Sequence, residues 1–140
     1  MDSDRGSALD RLADDLLHAA TRGDWATVTE AFAPDVVKLD RRQLGLPPVS
    51  GRDELVARIR LSFQIIKVRE WRTELLATPH ERLGLLRVQF WSEEEYSMEY
   101  LTVTEIDATG QIVYSVDYDP EDAESAQAEL ELRARRTGCP

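Results

Sequence analysis

The chain has 140 residues, 42% of them hydrophobic and 31% charged, and a formal net charge of −10. One domain with a real core fits that length, and the acidic balance argues against nucleic acid, whose phosphates are met by Lys and Arg. No apolar run approaches the roughly 20 residues of a membrane helix, so membrane insertion is not expected either.

The N-terminus is acidic and lacks a signal-peptide pattern, and the single cysteine, Cys139, cannot build a disulfide framework. A cytoplasmic location follows as the expectation. The excess of Arg over only two lysines, Lys38 and Lys67, lends support to a bacterial source. The acid is uneven. Between Arg41 and Arg72, eight cations face three carboxylates. Such a stretch would suit self-association or an anionic ligand, although solvated faces of mixed sign are the simpler reading.

Residues 1–7 read as a flexible N-terminus. Leu9, Leu12, Ala13, Leu16 and Ala20 then recur at helical spacing after a capping-box-like Ser7–Asp10. Gly23 supplies the stop, since it tolerates a left-handed conformation. Asp24 caps a short second helix with Trp25, Val28 and Phe32 inward, which Pro34 ends. Asp35–Asp40 is a short strand and Gln43–Ser50 a loop. Ser50–Asp53 opens a third helix carrying Leu55, Ile59 and Phe63.

Long strands follow. Val68–Ala77 is the first, and Arg82–Trp91 the second, with Gly84, Leu86, Val88 and Phe90 on one face. After the polar turn Ser92–Tyr96 comes Ser97–Asp107, alternating Met98, Tyr100, Thr102 and Thr104 against Leu101 and Val103. Asp107–Gly110 is a hairpin turn and Gln111–Tyr118 the last strand. Asp119 caps a closing helix with Pro120 at its first position, and Ala123, Ala126 and Leu130 form its apolar face. The pattern is α+β: a curved, mostly antiparallel sheet wrapped over N-terminal helices, with an extra C-terminal helix. Residues 8–136 form one domain and 137–140 a flexible tail.

Three segments carry a family resemblance. Gly23-Asp24-Trp25 with Ala31-Phe32-Ala33-Pro34-Asp35, then Pro48-Val49-Ser50-Gly51-Arg52-Asp53, then Ile106-Asp107-Ala108-Thr109-Gly110-Gln111-Ile112 follow in order. Together they resemble the nuclear-transport-factor-like cone fold of ketosteroid isomerases, SnoaL-like polyketide cyclases and limonene-type epoxide hydrolases. The resemblance implies a homodimer and a pocket for a small hydrophobic molecule. Asp40 matches the proton-shuttling Asp of the isomerases. Asp117, in Gly110-Gln-Ile112-Val-Tyr-Ser-Val116-Asp117, matches the acid/base Asp of the cyclases. The isomerases' oxyanion donors fall on Leu16 and Thr102, neither an adequate replacement.

The candidate catalytic pair is therefore Asp40 and Asp117. The candidate ligand wall is Leu16, Phe32, Leu86, Val88 and Phe90, with Tyr100, Thr102 and Ser115. Desolvation in such a pocket is expected to raise a carboxyl pKa and make a proton shuttle. The reading is a cofactor-free isomerase or cyclase acting on a carbonyl compound. Its alternatives are a non-catalytic binding or regulatory module, or a dimerisation domain using Tyr114, Tyr118 and Trp91 on the outer sheet face. Ordinary roles compete: a strand-end carboxylate paired with Arg41 or Arg42 for Asp40, a rim residue for Asp117. His18 and His80 are distant from each other and Cys139 is terminal, so no metal or other cofactor is expected.

Overall fold

The computed structural model describes residues 2–137, with side chains from residue 8 onward. Cys139 and nearly all of the expected tail lie outside the described residues. The elements are α1 (Asp2–Thr21), α2 (Trp25–Glu30), β1 (Phe32–Asp40), β2 (Val49–Ser50), α3 (Arg52–Ile65), β3 (Val68–His80), β4 (Leu83–Ser92), β5 (Ser97–Ile106), β6 (Ile112–Tyr118), a 3-10 turn (Pro120–Asp122) and α4 (Ala123–Thr137). Six strands form one sheet in the order β2-β1-β6-β5-β4-β3. Only β1 and β6 run parallel; every other neighbour is antiparallel. The α+β cone with a closing helix is the observed architecture.

Alternation along the strands builds two cores on opposite faces of the sheet. Toward α1, α2 and α3, Val28, Phe32, Val36, Leu55 and Ile112 cluster with Ala19 and Ala20. A smaller group of Leu17, Val88 and Phe90 extends this layer. On the outer face Leu83, Leu85, Leu101, Val103, Tyr114, Val116 and Tyr118 pack with Ala126 and Leu130 of α4. Gly84 faces inward where α1 comes close. A Cβ there would lie 2.9 Å from Leu9 Cδ1 and 3.0 Å from Leu75 Cδ1, so the two leucine side chains occupy the space that a larger residue would need. Trp71 Nε1 and Thr73 Oγ1 on β3 then donate to Asp14 and Asp10 of α1 at 2.8 and 3.0 Å.

Several expectations are corrected. α1 begins at Asp2, ahead of the Ser7 start. Phe32 lies on β1 rather than α2, because α2 stops at Glu30 and Pro34 falls inside the strand. The ladder to β6 breaks between Phe32 and Val37, where a proline with no N–H is accommodated. Asp24 caps α2 as expected, accepting from Thr27 N at 3.3 Å. Asp119 stands at the expected cap position, ahead of Pro120 and the 3-10 turn that leads into α4, but its side chain makes no capping hydrogen bond. Its carboxylate accepts from Gln43 N at 2.8 Å instead and ties down the loop after β1. Tyr114 and Tyr118 are not on a bare outer face: α4 covers them, and Tyr114 Oη donates to Glu129 Oε2 at 2.9 Å.

Candidate functional site

The register decides which side chains meet. On the helix-facing side of the sheet Lys38 lies beside Ser115 and Ser115 beside Thr104. One row on, Asp40 lies beside Asp117, Asp117 beside Thr102, and Thr102 beside Leu86. Polar groups thus occupy β1, β6 and β5, and apolar groups occupy β4. The helices add Leu12, Leu16 and Leu17 from α1 and Leu55, Ile59 and Phe63 from α3. A cavity of about 240 Å³ remains between helices and sheet. Asp40 and Asp117 border it, as do Leu16, Phe32, Leu86, Val88, Phe90, Tyr100, Thr102 and Ser115. The structure therefore brings together all ten residues singled out from the sequence.

Two ion pairs organise the polar half. Lys38 Nζ lies 2.7 Å from Asp117 Oδ1 and donates to Ser115 Oγ at 3.0 Å. The hydroxyls of Ser115 and Thr102 are 3.0 Å apart, and Thr104 Oγ1 follows at 3.3 Å. Asp117 is only 5% exposed. Among the described residues none forms a hydrogen bond to its second oxygen, Oδ2, although Arg42 and Tyr100 lie close enough to feel its charge.

Asp40 sits in a different environment. Arg42 grips it with two bonds, Nε to Oδ1 at 2.8 Å and Nη2 to Oδ2 at 2.6 Å. The backbone N–H groups of Arg42 and Leu46 add bonds at 3.2 and 3.1 Å. Burial by itself would raise the carboxyl pKa. The Arg42 side chain, the Leu46 and Arg42 amides and the Arg42 charge outweigh it, and the pKa falls from 3.8 to about 2. The expected rise toward neutrality is thus reversed at Asp40, because the loop after β1 folds its donors back over the carboxylate. Arg42 also lies over the Tyr100 ring, 5.4 Å from its centroid. Burial, reinforced by the Asp117 charge, pushes the Tyr100 phenol well above its usual range, so it remains protonated and can only donate or accept a hydrogen bond.

A pH dependence follows. The Asp40 side chain is 6% exposed. With its folded pKa below the unfolded value, its contribution to stability is full above about pH 4 and disappears as pH falls through about 2. The shift corresponds to roughly 2 kcal/mol. Urea melts from pH 6 to pH 2 are expected to show this acid-sensitive part in the wild type and to lack it in Asp40→Asn. Parallel curves for the two proteins would contradict it.

No protein-family model matches the sequence, and no curated protein matches it. Solved structures do. The chain is similar to an NTF-2 like protein of unknown function from Burkholderia xenovorans LB400, at 18% identity and a TM-score of 0.62, over 83% of this chain and 87% of that one. The fold is the nuclear-transport-factor-like cone. Two other cone structures carry enzyme names. One is an LEH-like epoxide hydrolase of M. tuberculosis, at 19% identity and a TM-score of 0.59, over 95% of this chain and 98% of that one. The other is described as a putative SnoaL-like polyketide cyclase from Mesorhizobium loti, at 16% identity and a TM-score of 0.57, over 79% and 97%. Identities this low carry the cone and leave the chemistry to the side chains of this chain.

Within this cone, sequence reasoning misses Lys38, Arg58 and Thr104 on the cavity wall, and names Arg42 only as a partner of Asp40. Lys38 was open to discovery. It stands two residues before Asp40 on a strand and so shares its face. Arg42 lies beyond the end of β1, where alternation no longer says where a side chain points.

Proposed function

We propose that the protein binds a small, mostly apolar carbonyl compound in the cone and moves a proton on it with Asp117, as a cofactor-free isomerase or cyclase. The observation that supports this is a nearly buried carboxylate in a mainly apolar cavity, with one oxygen held by Lys38 and the other without a protein donor. Asp117 Oδ2 takes the proton from the carbon next to the carbonyl. The electron pair of that C–H bond moves onto the carbonyl oxygen, giving an enolate. Asp117 then returns the proton at another carbon, or the enolate carbon attacks a second carbonyl carbon of the same molecule, whose π pair moves to its oxygen and takes the proton from Asp117. Lys38 has three N–H donors, of which Asp117 and Ser115 take two. The third faces the developing oxyanion, where a fixed positive charge acts most strongly. Asp40 has both oxygens occupied and serves as the anchor of Arg42 rather than as a second base.

The experiment is deuterium incorporation from D₂O into a panel of cyclic ketones and enones, followed by NMR. Asp117→Asn is expected to slow exchange by about 100-fold or more, the usual weight of a general base. Asp40→Asn is expected to leave exchange within about tenfold of the wild type, since its group does not transfer the proton. Unchanged exchange in Asp117→Asn would sink the acid/base reading. A non-catalytic ligand-binding or regulatory module is the second reading, favoured by Leu16: it lines the wall where the isomerases place a donor, and it donates nothing. Binding without exchange in the wild type would select it. Pairing of two copies, which the family resemblance implies, would use the outer face beyond α4, around Gln89, Trp91 and Glu99. Sedimentation of the intact chain tests it. A bacterial cytoplasmic setting belongs to the same proposal, supported by composition alone.

A further inference from the structure

The cavity-facing side of α3 is Leu55, Arg58, Ile59, Ser62 and Phe63, the spacing of one helical stripe. Four of these are ordinary for such a wall: three are apolar, and the Ser62 hydroxyl donates back to Arg58 O at 3.1 Å. Arg58 is the anomaly. The other two arginines of α3 have occupations elsewhere. Arg52 donates to Phe32 O at 3.4 Å, and Arg60 lies over the Trp25 ring at 5.8 Å. Arg58 uses one N–H on Pro47 O at 2.6 Å and has no carboxylate partner among the described residues.

The charge balance of the wall makes this significant. Its cations are Lys38, Arg42 and Arg58, and its carboxylates are Asp40 and Asp117. Asp117 answers Lys38 and Asp40 answers Arg42, which leaves Arg58. A chain with a net charge of −10 therefore encloses a cavity whose wall carries one positive charge in excess. The sheet side is neutral in sum and the helix side is cationic. A guanidinium with free N–H groups beside apolar surface is built to take a planar anion with two oxygens.

We infer that the ligand of this cavity is an anionic amphiphile whose carboxylate is held by Arg58 of α3 while its apolar body fills the cone. This rests on the reading of the cavity as a ligand site and adds the substrate class to it. It gives the basic stretch of the sequence a specific use at one of its eight cations. Binding at Arg58 also fixes which end of the ligand meets Asp117, since only the end away from the carboxylate can then reach the opposite, sheet wall.

Isothermal titration of the full chain with octanoate and with octan-1-ol tests it, because the two share a chain and differ in head-group charge. The wild type is expected to prefer octanoate by about tenfold or more, the weight of a charge-assisted pair. Arg58→Gln is expected to lose that preference with octan-1-ol affinity unchanged, and Arg58→Lys to keep part of it. Equal affinity for the two molecules in the wild type overturns the anion proposal and leaves the ligand site standing. A preference that survives in Arg58→Gln, or that vanishes in Lys38→Met instead, overturns it by placing the carboxylate on the sheet side. If neither molecule binds, the ligand-site reading falls and this inference falls with it.

Discussion

Replacing Lys38 by methionine is expected to destabilise the fold by about 3 kcal/mol, the cost of stranding a buried charge. The Asp117 side chain is 7% exposed and that of Lys38 22%. Methionine keeps the apolar stem and removes the ammonium. Asp117 is then left beside Ser115 and Thr102, without an ion pair of its own, while Arg42, whose charge it feels, is held by Asp40. The double variant Lys38→Met/Asp117→Leu is expected to recover most of the loss, because an apolar pair has nothing to desolvate. Urea denaturation of the two single variants and the double variant gives the coupling directly. Strictly additive effects would mean that the pair does not act as a unit. The comparison also separates stability from chemistry, since the double variant should fold and yet show no proton exchange.

Leu130→Ala is expected to cost about 3 kcal/mol, within the range for truncating a buried leucine. Leu130 is 2% exposed and stands at the centre of the outer core, against side chains from β4, β5 and β6. Ala126 shares that core, and polar ties from Glu129 to Tyr114 and Arg41 surround it. Arg133 Nη2 meets Glu105 Oε1 at 2.7 Å, and its guanidinium lies 3.7 Å from the Tyr114 ring centroid. Leu132 is 38% exposed, so Leu132→Ala is expected to stay within about 0.5 kcal/mol of the wild type. Thermal or urea melts of the pair provide the check. Equal losses would show that the helix is held by its length rather than by the seat of Leu130.

The strands are legible because period-2 alternation survives in the residues, with the outer face more apolar and the cavity face mixed with hydroxyls on β5 and β6. Leu101 and Val103 against Thr102 and Thr104 is the clearest case. The same alternation places Asp117 and Tyr100 inward and Tyr114 outward, as the structure has them. Helix ends were less legible, since Pro34 is accepted by a strand bulge and need not end a helix. The partner of Asp40 is legible, since pairing with Arg42 is one of the two readings its sequence position offers, but the depth of its acidity is not. Its low pKa depends on Arg42 and Leu46, which lie past the strand end in a loop whose path is set by tertiary contacts such as Gln43 with Asp119. Arg58 is missed as well: the inward face of the third helix is read as Leu55, Ile59 and Phe63, although position 58 falls on the same stripe.

The parallel pairing of β1 with β6 bears on how the molecule comes together. Strands β3 to β6 follow one another through short turns and can zip by local contacts. The β1–β6 ladder joins residues 32–40 to 112–118 and must close a loop of some seventy residues first. Lys38 and Asp117 sit on opposite sides of that late seam. The polar half of the cavity therefore exists only in chains that have completed folding, and local opening at β1 erases it while the meander persists. Occupancy of the cavity should accordingly protect the β1 amides from hydrogen exchange more than those of β4 or β5.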